Sequence, residues 1–259
     1  METPQKRALV TGAGAGLGRS VALTLAERGC RVALADRDEK GLEETSFSIA
    51  AVGRESLSIV GDIAADGAAD KAVARIVAAW GGLDVLVNNA GYGGIEPFLD
   101  MTEALWRKTL GVNVVALAML TSAAGRTMKG QRSGRIVNIT SPASRMALPN
   151  YAAYAASKAA VDSITRAAAM ALAPFGVLVN SVAPGMMDTE MQRQTEAELA
   201  RIEGRNDVEA FLAERTRRVP LGRRAEIAEV AATVVWLALD APAYVTAERL
   251  NASGGLDRD

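Results

Sequence analysis

An α/β domain built on a parallel sheet is the fold class the sequence predicts, on three observations. Short apolar runs alternate with longer helix-like stretches along most of the chain. Most of those runs are almost continuously apolar, as strands covered on both faces must be. No Pro/Ser/Gly-rich linker, low-complexity tract or internal repeat divides residues 1–259, so a single domain is expected.

The elements follow in order. Residues 8–10 read as the first strand, and a glycine-rich turn leads into a helix over 17–28 that Gly29 stops. Residues 31–35 and 56–60 read as strands. A helix over 68–80 ends at Gly81-Gly82, and a strand over 83–87 follows. A long helix over 102–128 precedes a strand over 135–139. The helix over 154–172 is broken by Pro174 and Gly176 before a strand over 177–182. Repeated βα alternation argues for parallel strands joined by right-handed crossovers. Residues 188–218 break the rhythm: they are charged, helical in pattern and poor in apolar mass. A solvated excursion and a lid over a site explain this segment equally well at this point.

Composition excludes several kinds of chemistry. The chain has no His and one Cys, so a Ser-His-Asp hydrolase cannot be built and a catalytic zinc site is not expected. A general base must be a carboxylate, a Lys or a Tyr. Cys30 has no partner for a disulfide and reads as a packed residue. Lys and Arg (29) nearly balance Asp and Glu (30), with no basic run, so nucleic acid is not an expected partner. The opening residues show no signal-peptide pattern, and the apolar stretch over 230–239 is too short to span a bilayer. A cytoplasmic protein without membrane contact is the expectation.

Thr11-Gly12-Ala13-Gly14-Ala15-Gly16-Leu17-Gly18 joins the first strand to the first helix. Backbone N–H groups at a helix start attract phosphate, and glycines let a ligand approach closely. The G-x-G-x-x-G spacing fails, since Leu17 stands where its third glycine would be. T-G-x-x-x-G-x-G fits through Gly12, Gly16 and Gly18. A turn that merely needs small residues would look similar, but the strand–turn–helix context favours phosphate binding. Asp36 closes the second strand, 18 residues after Gly18. A carboxylate there can accept hydrogen bonds from ribose hydroxyls and repel a 2′-phosphate, which favours NAD over NADP. Arg37 beside it could reach a 2′-phosphate, stack on adenine or face solvent.

Tyr154 and Lys158 are four apart, on one face of a helix. A nearby ammonium favours phenolate, so the spacing predicts a lowered Tyr154 pKa and an acid–base role. Tyr151, whose fourth neighbour is Ala155, lacks that partner. Ser141 follows a strand end, where open α/β sheets bind ligands, though Thr140 and Ser144 are rival hydroxyls.

Taken together these residues resemble the short-chain dehydrogenase/reductase family. The motifs are Thr11 to Gly18, Asp62-Ile63, Asn88-Asn89-Ala90-Gly91, Asn113, Ser141, Tyr154-Ala-Ala-Ser-Lys158 and Pro184-Gly185. Ser141 stands 13 residues before Tyr154, and the match runs from residue 7 to about residue 255. The resemblance implies a Rossmann-like, doubly wound parallel sheet of about seven strands. It implies hydride transfer between a nicotinamide and an alcohol or carbonyl substrate. Tyr154 would act as acid or base, Lys158 would tune it and hold the nicotinamide ribose, and Ser141 would orient the reacting oxygen. Asn113 would support a water relay from an irregular helix. Gly12, Gly14, Gly16, Leu17 and Gly18 would cradle phosphate, and Asp62 and Ile63 would meet adenine. Asn89, Ala90 and Gly91 would border the ribose, and Pro184, Gly185, Met187 and Thr189 the nicotinamide.

The resemblance turns residues 187–218 into an expected substrate lid, with Met191 among the substrate contacts. Its length and few apolar residues point to a polar substrate, a polyol or sugar. In the family the alanine-rich helix over 154–172, with that over 102–128, forms a dimer face, so a homo-oligomer, by preference a tetramer, is implied. The tail departs from the family pattern: Ala247 stands where a glycine is usual after the threonine, so the last strand is expected to begin differently. Two rival readings are an NADP-dependent ketone or 3-oxoacyl reductase using Arg37, and an NAD-binding sensor or scaffold without chemistry.

Overall fold

In the computed structural model, residues 5–256 are described. Part of the opening stretch read for a signal peptide, residues 1–4, lies outside them. Valine, leucine and isoleucine put both faces of the central strands out of water, and the result is one all-parallel sheet of seven strands in the order β3-β2-β1-β4-β5-β6-β7. The strands are β1 (Arg7–Thr11), β2 (Arg31–Asp36), β3 (Ser56–Val60), β4 (Val85–Asn88), β5 (Gly134–Ile139), β6 (Val177–Pro184) and β7 (Arg249–Ala252). Thr11 pairs with Ala35, Val10 with Val87, and Ile139 with Val182, so several strand ends align along one edge.

Two apolar layers sandwich the sheet. On one face, α1 (Gly16–Glu27), α2 (Glu39–Ala51) and α9 (Ile227–Val235) bury Leu17, Val21, Leu25, Leu42, Ile49, Val230 and Val234 against β1 and β2. On the other, α3 (Ala68–Trp80), α5 (Leu117–Gln131) and α6 (Ala152–Leu172) bury Ile76, Leu120, Met128 and Ala169. The strand order reverses between β1 and β4, which opens a crevice beyond their carboxyl ends. A buried polar ladder holds the neighbouring elements: Asn88 Nδ2 donates to Asn138 Oδ1 at 2.8 Å and to Thr121 Oγ1 at 3.0 Å, and Asn138 Nδ2 donates to Thr165 Oγ1 at 2.9 Å.

The expected long helix is continuous from Glu103 to Gln131 but not uniform. α4 (Glu103–Leu110) passes into a π-helical turn at Gly111–Ala116 before α5 begins. This 29-residue helix is long and apolar enough to cross a bilayer by composition, unlike residues 230–239, yet half of its apolar window is buried inside the domain. Contacts with α3 and α6 make it a core helix.

Residues 188–218 form two helices, α7 (Glu190–Ile202) and α8 (Val208–Arg217). Their few apolar residues suffice for a small separate core in which Leu199, Ala200 and Phe211 pack on Ile95, with Tyr151, Ile202 and Leu212 around them.

Two helices were not anticipated. α2 buries only Gly41, Leu42, Thr45 and Ile49, so half of its inward stripe is not apolar and its period is muted. α9 has the reverse problem, an almost unbroken apolar run with β-branched residues, and the capping box of Glu226 and Glu229 sets its start.

The last strand, β7, begins at Arg249, two residues beyond Ala247. Ala247 adopts φ 66°, the left-handed region that glycine occupies without strain, and donates its N–H to Val179 O at 2.8 Å. Ala247→Gly is expected to relieve that strain and stabilise the fold by about 0.5 kcal/mol, raising Tm by roughly 1–2 °C. A fall in Tm would show that the alanine methyl, which packs on the core, matters more than the backbone.

Candidate active site

A cleft of about 600 Å³ lies along the carboxyl ends of β1, β2, β4, β5 and β6, closed on one side by the α7–α8 segment. Of the residues singled out from sequence, Gly12, Gly16, Leu17, Asp36, Arg37, Asp62, Ile63, Asn89, Ala90, Gly91, Ser141, Tyr154, Lys158, Pro184, Gly185, Met187, Thr189 and Met191 all line it. Gly14, Gly18 and Asn113 are not in the lining.

The glycine loop enters α1 through Ala15, which offers no capping side chain, and no acidic residue stands in the first turn. Its first N–H groups are therefore neither capped by a side chain nor opposed by a local carboxylate, which fits a phosphate. Gly12 has φ 65°, and a methyl on it would meet Asn89 Nδ2 at 2.8 Å. Gly18 works from behind, since a methyl there would collide with Gly12 O. Thr11 Oγ1 accepts from the N–H groups of Asn89 (3.1 Å) and Ala90 (3.0 Å), while Asn89 Nδ2 donates to Thr11 O at 2.9 Å. Asp36 accepts from Gly14 N at 3.0 Å and from Asp38 N at 3.1 Å, so its carboxylate is fixed at the cleft end. Exposed Arg37 sits at the same rim. An uncapped helix terminus between this carboxylate and the groups described next suits a dinucleotide.

At the other end four residues converge. Ser141 caps a short turn at Pro142–Arg145, its Oγ accepting from Ala143 N at 3.2 Å. Tyr154 and Lys158 project from the first turns of α6, with the Lys158 ammonium 5.6 Å from the Tyr154 ring centroid. Lys158 Nζ donates to Ile139 O at 2.8 Å, and Thr140 Oγ1 donates to Lys158 O at 3.1 Å, tying the helix to the end of β5. Asn113 lies in the π-helical turn, 1 % exposed. Its Nδ2 donates to Tyr92 O and to Ser157 Oγ, both at 2.9 Å, and its Oδ1 accepts from Tyr92 N at 2.7 Å. A methyl on Gly91 would lie 3.5 Å from Asn113 Oδ1 and 3.7 Å from Lys158 Nζ, which shows how closely these groups meet.

The electrostatics differ from the expectation of a lowered phenol. Burial pushes the Tyr154 phenol above its ordinary value, opposed by the adjacent Ser141 hydroxyl. The same burial pulls the Lys158 ammonium down to about 8, opposed by Asp162 one turn further along α6. A four-residue spacing reveals the neighbouring charge but not the desolvation that opposes it.

Sequence reading also missed the support of Ser141. Arg249 of β7 donates from Nη2 to Ser141 O at 3.1 Å and to Ser144 Oγ at 3.4 Å, and its Nε lies 3.4 Å from Asp162 Oδ2 in a buried ion pair. No spacing joins residues 162 and 249; only the sheet does. Tyr151, set aside for want of a lysine, also lines the cleft, its ring edge-on to Tyr154 at 6.5 Å between centroids. The opposite wall carries Met191 and Thr189. Thr189 Oγ1 caps α7 by accepting from Gln192 N at 3.2 Å.

Such a cleft, with a helix terminus at its centre and a tyrosine–lysine pair at one end, defines a nicotinamide-dependent oxidoreductase. The pattern of the short chain dehydrogenase family matches residues 6–200. The chain is 37% identical over 253 residues to a protein described as an uncharacterized oxidoreductase of Thermotoga maritima, covering 96% of each chain. It superposes on NAD+-bound xylitol dehydrogenase with a TM-score of 0.93 at 34% identity, over 96% of this chain and 98% of that one. An actinorhodin polyketide ketoreductase with NADPH gives a TM-score of 0.94 at 34% identity, with 100% of both chains covered. The protein belongs to the short-chain dehydrogenase family and is an oxidoreductase.

Removing Arg249 leaves the Asp162 carboxylate buried without its guanidinium. Arg249→Met is expected to cost about 3 kcal/mol in denaturant unfolding, and Asp162→Asn in the same chain to restore part of it. Additive losses would show that the two side chains act independently.

Proposed function

We propose that the protein is an NAD-dependent dehydrogenase that interconverts a secondary alcohol and its ketone, on a polar substrate of polyol or sugar type. The carrying observation is the convergence of Ser141, Tyr154 and Lys158 at one end of a cleft whose other end holds the fixed Asp36 carboxylate, with Asn113 buried behind them on the Tyr92 backbone and Ser157. Gly12, Gly16 and Leu17 would hold the pyrophosphate, and Asp36 the adenosine ribose hydroxyls. Asp62 and Ile63 would border adenine, and Asn89 to Gly91 the ribose region. Lys158 would hold the nicotinamide ribose, and Pro184, Gly185, Met187 and Thr189 the ring. Bound there, the nicotinamide supplies or accepts the hydride.

The chain's own residues handle the oxygen and its proton. Ser141 orients the reacting oxygen through its hydroxyl. Tyr154, held protonated by burial, gives its proton to a carbonyl oxygen in reduction and recovers it from the alcohol in oxidation. Lys158 replaces that proton, and Asn113 holds the Tyr92 backbone beside it and supports the path for water. The α7–α8 segment serves as the lid that keeps bulk water from this end.

NAD is favoured because Asp36 is anchored by two backbone N–H groups and meets a 2′-phosphate with like charge. A second reading, an NADP-dependent ketone or acyl reductase, draws support from Arg37 at the same rim and from the NADPH named with the ketoreductase. Homo-oligomeric association through the continuous α4–α5 helix and α6, in a tetramer and in a cytoplasmic setting, belongs to the proposal. Val115 and Met119, one turn apart, and Met170 are exposed apolar residues on that region.

The test follows nicotinamide absorbance over polyols, sugars, hydroxysteroids and simple ketones with each dinucleotide. NAD(H) is expected to give the higher kcat/KM, and Tyr154→Phe to retain dinucleotide binding while losing at least about 100-fold in kcat. Near wild-type turnover in that variant would remove Tyr154 from the chemistry, and a clear NADPH preference would favour the second reading. Dinucleotide binding without turnover on any substrate would leave a sensor or scaffold.

A further inference from the structure

The wall of the cleft beyond Tyr151 carries a charge that the proposed chemistry does not use. Glu196 of α7 is 0% exposed and is held by two arginines. Arg224 makes the bidentate pair, Nη1 to Oε2 at 2.9 Å and Nη2 to Oε1 at 3.1 Å. Arg215 of α8 contributes only its Nε, at 3.3 Å from Oε1. One carboxylate therefore faces two guanidiniums, and the trio keeps one net positive charge.

That excess falls on Arg215, at the cleft. Its terminal Nη1 and Nη2 make no hydrogen bond among the described residues, although its side chain is only 21% exposed. The guanidinium carbon lies 5.7 Å from the Phe211 ring centroid, which fixes the side chain. Arg215 lines the cleft together with Tyr151, the ring that meets Tyr154. Lys108 of α4 lines this end too, its ammonium 4.1 Å over the Tyr92 ring and without a carboxylate partner among the described residues. Arg218 adds little, since Glu214 pairs with it at 2.7 Å. Glu190 is the lining carboxylate on this side, and Gln194 donates to it at 2.9 Å. The cations outnumber it.

A guanidinium held through Nε, with its outer nitrogens presented in a plane, matches the two oxygens of an anionic oxo group. We propose that Arg215, with Lys108 at the same end, binds an anionic oxo group of the substrate, so that the alcohol or ketone is a carboxylate or a phosphate ester. This rests on the dehydrogenase reading and names its substrate class. Arg224 and Glu196 hold Arg215 in place and do not themselves bind the ligand.

The experiment uses the full-length protein loaded with NAD. Calorimetry compares a hydroxy-carboxylate, its methyl ester, a polyol phosphate and the parent polyol, and absorbance follows turnover of the same four. Each anion is read against its neutral counterpart. At least one anion is expected to bind about tenfold or more tightly than that counterpart, and the two arms tell carboxylate from phosphate. Arg215→Met should bring this ratio near one, and Arg215→Lys should keep part of it. Lys108→Met, on a different element, should lower it severalfold, which serves if the first variant fails to fold.

Equal binding of charged and neutral probes, no binding of either anion, or a ratio unchanged by both neutral variants would overturn the proposal. Turnover of the neutral probes without a charge preference would sink the anion site and leave the dehydrogenase standing. Charge-selective binding with no turnover would sustain the anion site and count against the dehydrogenase.

Discussion

Lys158 is 4% exposed, and the carbonyl of Ile139 accepts from its ammonium at 2.8 Å. Burying an ammonium is costly unless the surroundings answer it, and much of the cleft is arranged to do so. The acceptor comes from the end of β5. The backbone carbonyl of Lys158 is itself bound by Thr140, the next residue of that chain segment. These two bonds, of opposite sense, fix the start of α6 against the sheet and hence the position of Tyr154. Gly91, from the end of β4, leaves the room that a side chain there would take. The π-helical turn then brings Asn113 to the same place and spends its amide on the Tyr92 backbone and Ser157.

Counter-charge is supplied from farther away. Asp162 lies one turn beyond Lys158 and works against the desolvation that draws its ammonium down. Arg249 pairs with Asp162 and also donates to the carbonyl of Ser141, so β7 touches the supports of both the lysine and the serine. Ala247, in the left-handed region, puts backbone strain just before that strand, next to a residue that the site uses. At the far end of the cleft a different balance holds. Asp36 is satisfied there by backbone N–H groups, whereas beside Tyr151 Arg224 pairs with Glu196 and Arg215 keeps its outer nitrogens unbonded among the described residues. The cleft is thus acidic where a ribose would lie and basic beside the reacting tyrosine.

Much of this was legible in the sequence where a physical period or a short spacing carries the signal. Buried parallel strands leave apolar runs, and the glycine loop, Asp36, Ser141, Tyr154 and Lys158 each stand at a strand end or on one helix face. The exceptions share a cause. α2 hides because Gly41 and Thr45 take half of its inward stripe, and α9 because alanines and β-branched residues make its run almost continuously apolar. Asp162 with Arg249, and Glu196 with Arg224, meet only through the folded sheet and helices, so no local pattern marks them. Gly14 and Gly18 do not line the cleft; Gly14 donates its N–H to Asp36 and Gly18 packs on the Gly12 carbonyl, so folding gives both a part in shaping the loop that spacing does not reveal. The direction of the Tyr154 shift was missed for a related reason: spacing reveals a neighbouring charge but not the depth at which both groups are buried.

The central claim is that Lys158 and Tyr154 form one buried acid–base unit, in which the ammonium, near 8, governs how readily the cleft gives up a proton. The most direct measurement is the pH profile of alcohol oxidation at saturating dinucleotide, for wild type and Lys158→Met. Oxidation needs the phenol oxygen free to take the alcohol's proton, so its rate rises with pH. In wild type the limb should rise as the coupled Lys158–Tyr154 pair loses its first proton, through an ammonium near 8. With Lys158 gone, the phenol alone must lose the proton, and burial holds it above its ordinary value, so the limb should move upward by at least about one unit, with a lower plateau. A limb left in place by Lys158→Met, or moved to lower pH, would contradict the account.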